Sequence, residues 1–107
     1  MRKNLCVGIL RETRAGERRA PLTPSDVNWL VRHGVDVEVE SSAKRIFKEK
    51  KYIKNGAKVL DRFHNASLLL SIKEPGIDTL YDNKIYMVFS HTSKGQPKNM
   101  PLLKAFL

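Results

Sequence analysis

The chain alternates short apolar segments with longer amphipathic ones. Val35 to Glu40 changes between valine and an acidic residue at every step, and this period of two predicts a strand with one apolar face. Ser67 to Ile72 is a largely apolar run between polar residues, as expected of a strand covered on both faces. Further strands are predicted at Leu5 to Leu10, Ala57 to Leu60 and Tyr86 to Phe89.

Signals for a helix follow the first of these strands. Thr23 can cap a first turn that Pro24 favours, and Asp26 can bond back to the cap while opposing the positive end of the helix dipole. Gly34 is a residue type that ends helices. We therefore expect a helix that begins at Thr23-Pro24 and stops before Gly34.

Two more helices are predicted farther along the chain. The charged segment Ser42 to Asn55 places Ile46, Phe47 and Ile53 at positions compatible with a helix, and Met100 to Leu107 has the pattern of the opening turns of another. Because strands and helices alternate, we expect an α/β fold, with a parallel sheet flanked by helices in a Rossmann-like architecture.

The composition is that of a soluble globular domain. A length of 107 residues fits one domain, with 41% hydrophobic and 29% charged residues. No apolar run approaches the roughly 20 residues that a membrane span needs, so we expect no membrane partner. Cys6 is the single cysteine and cannot form an internal disulfide, which fits a reducing compartment, most simply the cytoplasm.

The chain is strongly basic, with a net charge of +9 from 20 basic and 11 acidic residues. Such a surplus can serve nucleic acid, an acidic membrane surface or an anionic small molecule. Much of it lies in Lys44, Arg45 and the segment Lys48 to Lys54, which reads first as the solvated face of a helix. Since the sequence lacks zinc-ligand spacing, an aromatic RNA-binding signature and an arginine-rich arm, we expect neither a metal nor a nucleic-acid partner.

The sequence also lacks a fingerprint for binding nucleotides. Gly8 is followed by Ile9 and Leu10, and no predicted strand leads into Gly-x-Gly-x-x-Gly or a phosphate loop. We therefore expect no cofactor-binding residues in this chain.

Three basic residues, Arg19, Lys73 and His91, each stand at or after the end of a predicted strand. Open parallel sheets bind ligands outside the carboxyl ends of their strands. Two cations and an imidazole are therefore predicted to face one crevice.

The loop from Arg11 to Arg19 contains four arginines and two glutamates. Arg14, Arg18 and Arg19 are candidate substrate-binding residues, because a guanidinium fork binds a carboxylate through two parallel hydrogen bonds. The alternative is a surface loop whose opposite charges pair with one another.

Lys73 and His91 are the candidate catalytic residues. Lys73 ends an apolar run, and a partly buried lysine is a candidate for proton transfer, whereas most strand-end lysines extend into water. A histidine can donate or accept a proton near neutral pH, although a structural hydrogen-bonding role is the common alternative.

Several motifs resemble those of a known family. The segments Gly8 to Thr13 (GILRET) and Glu17 to Pro24 (ERRAPLTP) are similar to the amino-terminal domain shared by alanine dehydrogenases, nicotinamide nucleotide transhydrogenases and the saccharopine dehydrogenase family. Lys73 to Pro75 and the strand ending at His91 fit the same plan. The segment Phe89 to Gln96 (FSHTSKGQ) is most similar to lysine-ketoglutarate reductase, the saccharopine-forming part of aminoadipic semialdehyde synthase.

The resemblance implies roles for the candidate residues. Arg19 takes the position that binds the substrate carboxylate, and Lys73 and His91 take those of the acid/base pair. Residues 1–107 would be an incomplete amino-terminal, substrate-side domain. NAD(P)H would be bound by a Rossmann domain that follows in sequence, so the chain alone is expected to be inactive.

The reaction implied is the reductive condensation of L-lysine with 2-oxoglutarate to saccharopine. A homo-oligomer is compatible with this class of oxidoreductase, and a eukaryotic source would move the expected compartment to the mitochondrial matrix. Two alternatives stay open: alanine dehydrogenase, which uses the same machinery on another substrate, and a noncatalytic anion-binding module.

Overall fold

The computed structural model describes residues 5–13, 15–73, 75 and 81–89. Within them, five strands form one sheet in the order β3-β2-β1-β4-β5, and every neighbouring pair is parallel. The elements are β1 (Cys6–Ile9), α1 (Pro24–Arg32), β2 (Asp36–Glu40), α2 (Glu49–Lys54), β3 (Lys58–Leu60), β4 (Leu68–Ser71) and β5 (Ile85–Val88). The predicted α/β architecture is therefore confirmed.

β1 lies at the centre of the sheet. Val7 is opposite Val37 of β2 on one side and Leu68 of β4 on the other. Because all the strands run the same way, the carboxyl ends of β1, β4 and β5 share one edge, as the sequence predicts. The helix predicted at Met100 to Leu107 lies outside the described residues.

The main core lies on the sheet face that α1 and α2 cover. Val27 and Leu30 of α1 and Tyr52 of α2 are buried against alternate strand residues. The Tyr52 hydroxyl donates to the Leu22 carbonyl at 2.7 Å, so the polar atom of this buried ring is satisfied. The strand residues of this cluster are Val7, Ile9, Val37, Val39, Leu68 and Leu70.

The predicted start of α1 is present in full. The Thr23 side chain accepts from the backbone N–H of Asp26 at 3.1 Å, and the Asp26 carboxylate accepts from the backbone N–H of Thr23 at 3.0 Å. This reciprocal pair is a capping box, and Pro24 occupies the first turn. Gly34 follows the helix with a φ of +85°, a conformation that glycine adopts readily.

The second helix is shorter than its sequence predicts. It begins at Glu49, and residues 42–48 form turns and bends, so a helix over Ser42 to Asn55 is wrong in its first half. Ile46 and Ile53 are exposed, and Tyr52 is the buried residue of α2. Neither described helix is long and apolar enough to cross a membrane.

The other face of the sheet is covered by loop residues, and its polar groups are enclosed. Glu38 of β2 is 3% exposed, and its carboxylate accepts from three successive backbone N–H groups, those of His64, Asn65 and Ala66, at 3.0 to 3.1 Å. The polar side of the alternating strand therefore binds a loop instead of facing water. Burial, together with this nearby carboxylate, raises the pKa of the Cys6 thiol to about 12, so the buried cysteine is an inert core residue.

Gly8 lets this loop approach β1 closely. A Cβ at Gly8 would lie 2.7 Å from Leu69 Cδ2, 2.8 Å from Phe63 Cε1 and 2.9 Å from Ala66 Cβ. Carbon atoms do not tolerate such distances, so the loop packs where it does because this residue has no side chain.

We expect Gly8→Ala to destabilise the fold by about 1 to 3 kcal/mol, the usual cost of adding a methyl group to a filled core. Denaturant unfolding measures the difference. Ser67→Ala, at a neighbouring exposed residue, is the control and should change stability by no more than about 0.5 kcal/mol. A Gly8→Ala protein as stable as the control would mean that the loop packs elsewhere.

Candidate functional site

The carboxyl ends of the central strands form the candidate site. Pairing continues beyond the strands themselves, since the Leu10 N–H donates to the Leu70 carbonyl at 2.9 Å and the Phe89 N–H donates to the Ser71 carbonyl at 3.0 Å. Lys73 follows β4 by two residues on this edge. The edge therefore brings the β1–α1 loop, Lys73 and the end of β5 together.

A buried carboxylate joins the first loop to the end of β4. Glu12 is 7% exposed, and its two oxygens accept from the backbone N–H groups of Ile72 at 2.8 Å and Lys73 at 3.0 Å. Burial raises the pKa of Glu12, while the two backbone hydrogen bonds oppose this shift. The chain path at Lys73 is thereby fixed relative to β1.

A second contact holds Lys73 from the other side. The Ser71 hydroxyl donates to the Lys73 carbonyl at 2.8 Å. Both backbone polar groups of Lys73 are thus bound, while its side chain is partly buried at the edge of the sheet. This lysine extends from a rigid position, which is the geometry that a proton-transfer group requires.

Arg19 is bound to a carboxylate of its own loop. Its Nε and Nη2 atoms each donate to Glu17 at 2.8 Å, and its backbone N–H donates to the same carboxylate at 3.0 Å. The Arg19 hydrogen bond lowers the pKa of Glu17, and the Lys73 charge acts in the same direction. The Arg19 fork therefore already holds a carboxylate in the bidentate geometry expected for a substrate.

The pairing of Arg19 with Glu17 is compatible with both interpretations of this loop, a carboxylate-binding arginine and a surface loop of paired charges. The loop charges do pair, yet the Arg19 side chain is 52% exposed and stays within reach of a ligand. Lys73 lies close enough for its charge to act on Glu17. Arg19 and Lys73 therefore border one region of the edge, whereas His91 and Arg14 lie outside the described residues.

Arg18 has a different environment from Arg19. Its side chain is exposed, with Nε donating to the Lys44 carbonyl at 3.3 Å, and its own carbonyl accepts from the Ile46 N–H at 2.8 Å. Arg18 therefore connects the β1–α1 loop to the irregular segment that precedes α2.

A groove of about 330 Å³, absent from the sequence predictions, lies beside β1 and β2. The Glu40 carboxylate accepts from the Arg11 N–H at 2.9 Å and from the Tyr81 hydroxyl at 2.5 Å. Burial raises the pKa of Tyr81, and the bond to Glu40 adds to the shift. The groove is lined by Leu10, Arg11, Thr13, Glu40, Asp61, Arg62, Pro75 and Tyr81.

The contact of Glu12 with the end of β4 is absent from the sequence predictions, and that of Glu17 with Arg19 is included only as charge pairing within the loop. Glu12 follows β1 by three residues, and a carboxylate so soon after a buried strand is the sequence signal that points to it. Which charges of the loop pair has no sequence signal, because residues two apart, such as Glu17 and Arg19, meet only in a particular loop geometry. Among the described residues, no group of three His, Cys, Asp or Glu side chains is arranged to hold a metal.

Comparison with known proteins agrees with this fold. The family described as "Alanine dehydrogenase/PNT, N-terminal domain" matches residues 8–107. The chain belongs to this family. Two solved structures share the fold over 78% of this chain at 24% identity. One is an L-alanine dehydrogenase, matched over 26% of its chain with a TM-score of 0.64, and the other is a transhydrogenase from Sinorhizobium meliloti, matched over 27% with a TM-score of 0.67.

The curated relatives include enzymes of the saccharopine group. The chain is 40% identical to an alpha-aminoadipic semialdehyde synthase of Arabidopsis thaliana over 97% of its own length, and 38% identical to the mitochondrial synthase of Bos taurus over 90%. A saccharopine dehydrogenase (NAD(+), L-lysine-forming) of Emericella nidulans is 30% identical over 84% of the chain. The chain spans about 10% of the two synthases and 26% of the dehydrogenase. It is thus homologous to a part of each oxidoreductase.

We expect Glu12→Ala to destabilise the protein by about 2 to 4 kcal/mol, because two backbone N–H groups lose their acceptor at a cost of about 1 to 3 kcal/mol each. Denaturant unfolding measures the loss, and the amide NMR signals of Ile72 and Lys73 should shift. Asp36→Ala, at an exposed carboxylate, should leave both readouts nearly unchanged. Unaltered Ile72 and Lys73 amides in Glu12→Ala would show that Glu12 does not hold this segment.

Proposed function

We propose that this chain is the substrate-side domain of a lysine-ketoglutarate reductase, the saccharopine dehydrogenase that joins L-lysine to 2-oxoglutarate. The observation that carries the proposal is Lys73, held through its backbone by Glu12 beside an arginine fork that binds a carboxylate. Homology to the synthases and to the L-lysine-forming dehydrogenase supports the choice of substrate.

Each candidate residue has a role in this reaction. Arg19 orients a substrate carboxylate, with Arg18 and Arg14 of the same loop adding positive charge near it. Lys73 and His91 transfer protons while the lysine amine adds to the oxo carbon, while the carbinolamine loses water and while the imine is reduced. The hydride comes from NAD(P)H, which we assign to another domain.

Two further features follow from this assignment. The partners are the small molecules lysine, 2-oxoglutarate and saccharopine. A homo-oligomeric enzyme is compatible with this assignment. We propose a cytoplasmic location for a bacterial source and the mitochondrial matrix for a eukaryotic one. The bovine synthase is itself named as mitochondrial, which supports the second location.

Replacing Lys73 by Met in a protein that joins this domain to its cofactor domain should lower turnover by roughly two to four orders of magnitude, the usual contribution of a general acid or base. The retained aliphatic stem should keep the fold intact. Lys51→Met, at an exposed lysine of α2, is the control and should leave turnover unchanged. Near-normal turnover by folded Lys73→Met would remove this lysine from the mechanism.

Arg19→Lys keeps the charge but loses the fork, so the specificity constant for 2-oxoglutarate in the presence of lysine should fall about 10-fold or more. Arg32→Lys, an exposed substitution on α1, is the matched control. Equal values for wild type and Arg19→Lys would make Arg19 a surface charge only.

The same assay separates the alternatives. Activity with pyruvate and ammonia, but none with lysine plus 2-oxoglutarate, would assign the protein to the alanine dehydrogenases. Binding of carboxylates without turnover in the joined protein would favour the noncatalytic anion-binding module.

A further inference from the structure

Arg45 is a buried cation without a carboxylate partner among the described residues. It is 8% exposed, and its Nη2 atom lies 3.4 Å from the Leu10 carbonyl, a long hydrogen bond. Its Nη1 atom is buried and has no hydrogen-bond partner within the part of the chain that the structure describes. A guanidinium removed from water without a counterion is costly, so its presence requires an explanation.

The neighbouring carboxylates do not fill this role. Glu12, Glu40 and Glu49 all act on Arg45 through their charge. Each is hydrogen-bonded elsewhere: Glu12 to the end of β4, Glu40 to Tyr81 and the Arg11 backbone, and Glu49 to two serines that precede its helix. The charges of these carboxylates therefore stabilise the Arg45 cation, but none of them accepts a hydrogen bond from Nη1.

The packing contacts of Arg45 also provide no hydrogen-bond acceptor for Nη1. The guanidinium carbon lies 5.9 Å from the centre of the Tyr52 ring, a favourable but modest contact between a cation and an aromatic face. Together with the long bond to Leu10, this contact positions the side chain without satisfying Nη1.

Arg45 and Arg19 line the same hollow at the carboxyl edge of the sheet. In the present conformation the hollow has no room for a water molecule, and Glu17 occupies the Arg19 fork. The hollow is lined by Glu12, Glu17, Arg18, Arg19, Ser42, Lys44 and Arg45.

We propose that Arg45 binds the second carboxylate of a dicarboxylate substrate and so selects 2-oxoglutarate over monocarboxylate oxo acids. This inference rests on the proposed function, in which Arg19 binds the first carboxylate. Glu17 is the internal substitute that leaves when substrate enters. Selection follows because a monocarboxylate leaves Nη1 of Arg45 unbound, whereas a dicarboxylate satisfies both arginines.

The test is the binding of 2-oxoglutarate and of pyruvate to the 107-residue chain at constant ionic strength, followed by calorimetry and by NMR of the arginine side-chain nitrogens. Arg45→Lys should weaken 2-oxoglutarate binding about 10-fold or more and pyruvate binding by less than about twofold. In the wild type, 2-oxoglutarate but not pyruvate should shift the Arg45 nitrogen signals. Arg32→Lys is the control and should leave both affinities unchanged.

Several outcomes would overturn the proposal. Equal affinities of wild type and folded Arg45→Lys for 2-oxoglutarate would remove Arg45 from the site, while a loss shown by Arg19→Lys alone would leave the proposed function standing. If neither Arg45→Lys nor Arg19→Lys weakened the binding of 2-oxoglutarate, the role of Arg45 and the proposed function would both be rejected. Equal losses for the two ligands would make Arg45 a structural support of the loop. If Arg45→Lys fails to fold, the wild-type nitrogen signals decide, and signals that stay fixed at millimolar 2-oxoglutarate reject the proposal.

Discussion

Buried carboxylates that accept backbone N–H groups hold this small sheet together. The face away from the helices is covered by loops, and loop amides removed from water need acceptors. Glu38 supplies them for three successive amides, and Glu12 does so for two at the end of β4. Four glutamates of this strongly basic chain, Glu12, Glu17, Glu38 and Glu40, are buried.

This arrangement links the architecture to the chemistry. The carboxylate that closes the loop after β1 is also the group that fixes Lys73, so the position of the candidate acid/base residue depends on the same contact as the fold. Arg19 is held in a different way, by the Glu17 carboxylate of its own loop, which in our proposal a substrate carboxylate replaces. The two sides of the candidate site therefore differ: the Lys73 backbone is bound by Glu12, whereas the Arg19 side chain is bound by a carboxylate of its own loop.

Much of the fold could be predicted because its signals are local. The alternation in Val35 to Glu40 and the cap at Thr23 each report on a few neighbouring residues, and both are confirmed. The shared edge of Arg19 and Lys73 also followed, because parallel strands place their carboxyl ends together. The roles of those residues, and of His91 and Arg14, stay predictions.

The parts that sequence reasoning missed depend on distant contacts. The charge pattern places Arg45 on a solvated helix face, but the residue is buried. Residues 42–48 are not helical, and Arg45 contacts the Leu10 carbonyl, 35 positions away. The Glu38 contacts join residues at least 26 positions apart. No local periodicity reports on such pairs.

The strand order also has a consequence for how the protein is made. β2 emerges from the ribosome soon after β1 and can pair with one of its edges, and β3 then pairs with β2. β4, which pairs with the other edge of β1, begins only at Leu68. For that interval the central strand has an open, apolar edge available to other chains. The strand order therefore exposes the nascent chain to edge-to-edge pairing with other chains until β4 has been synthesised.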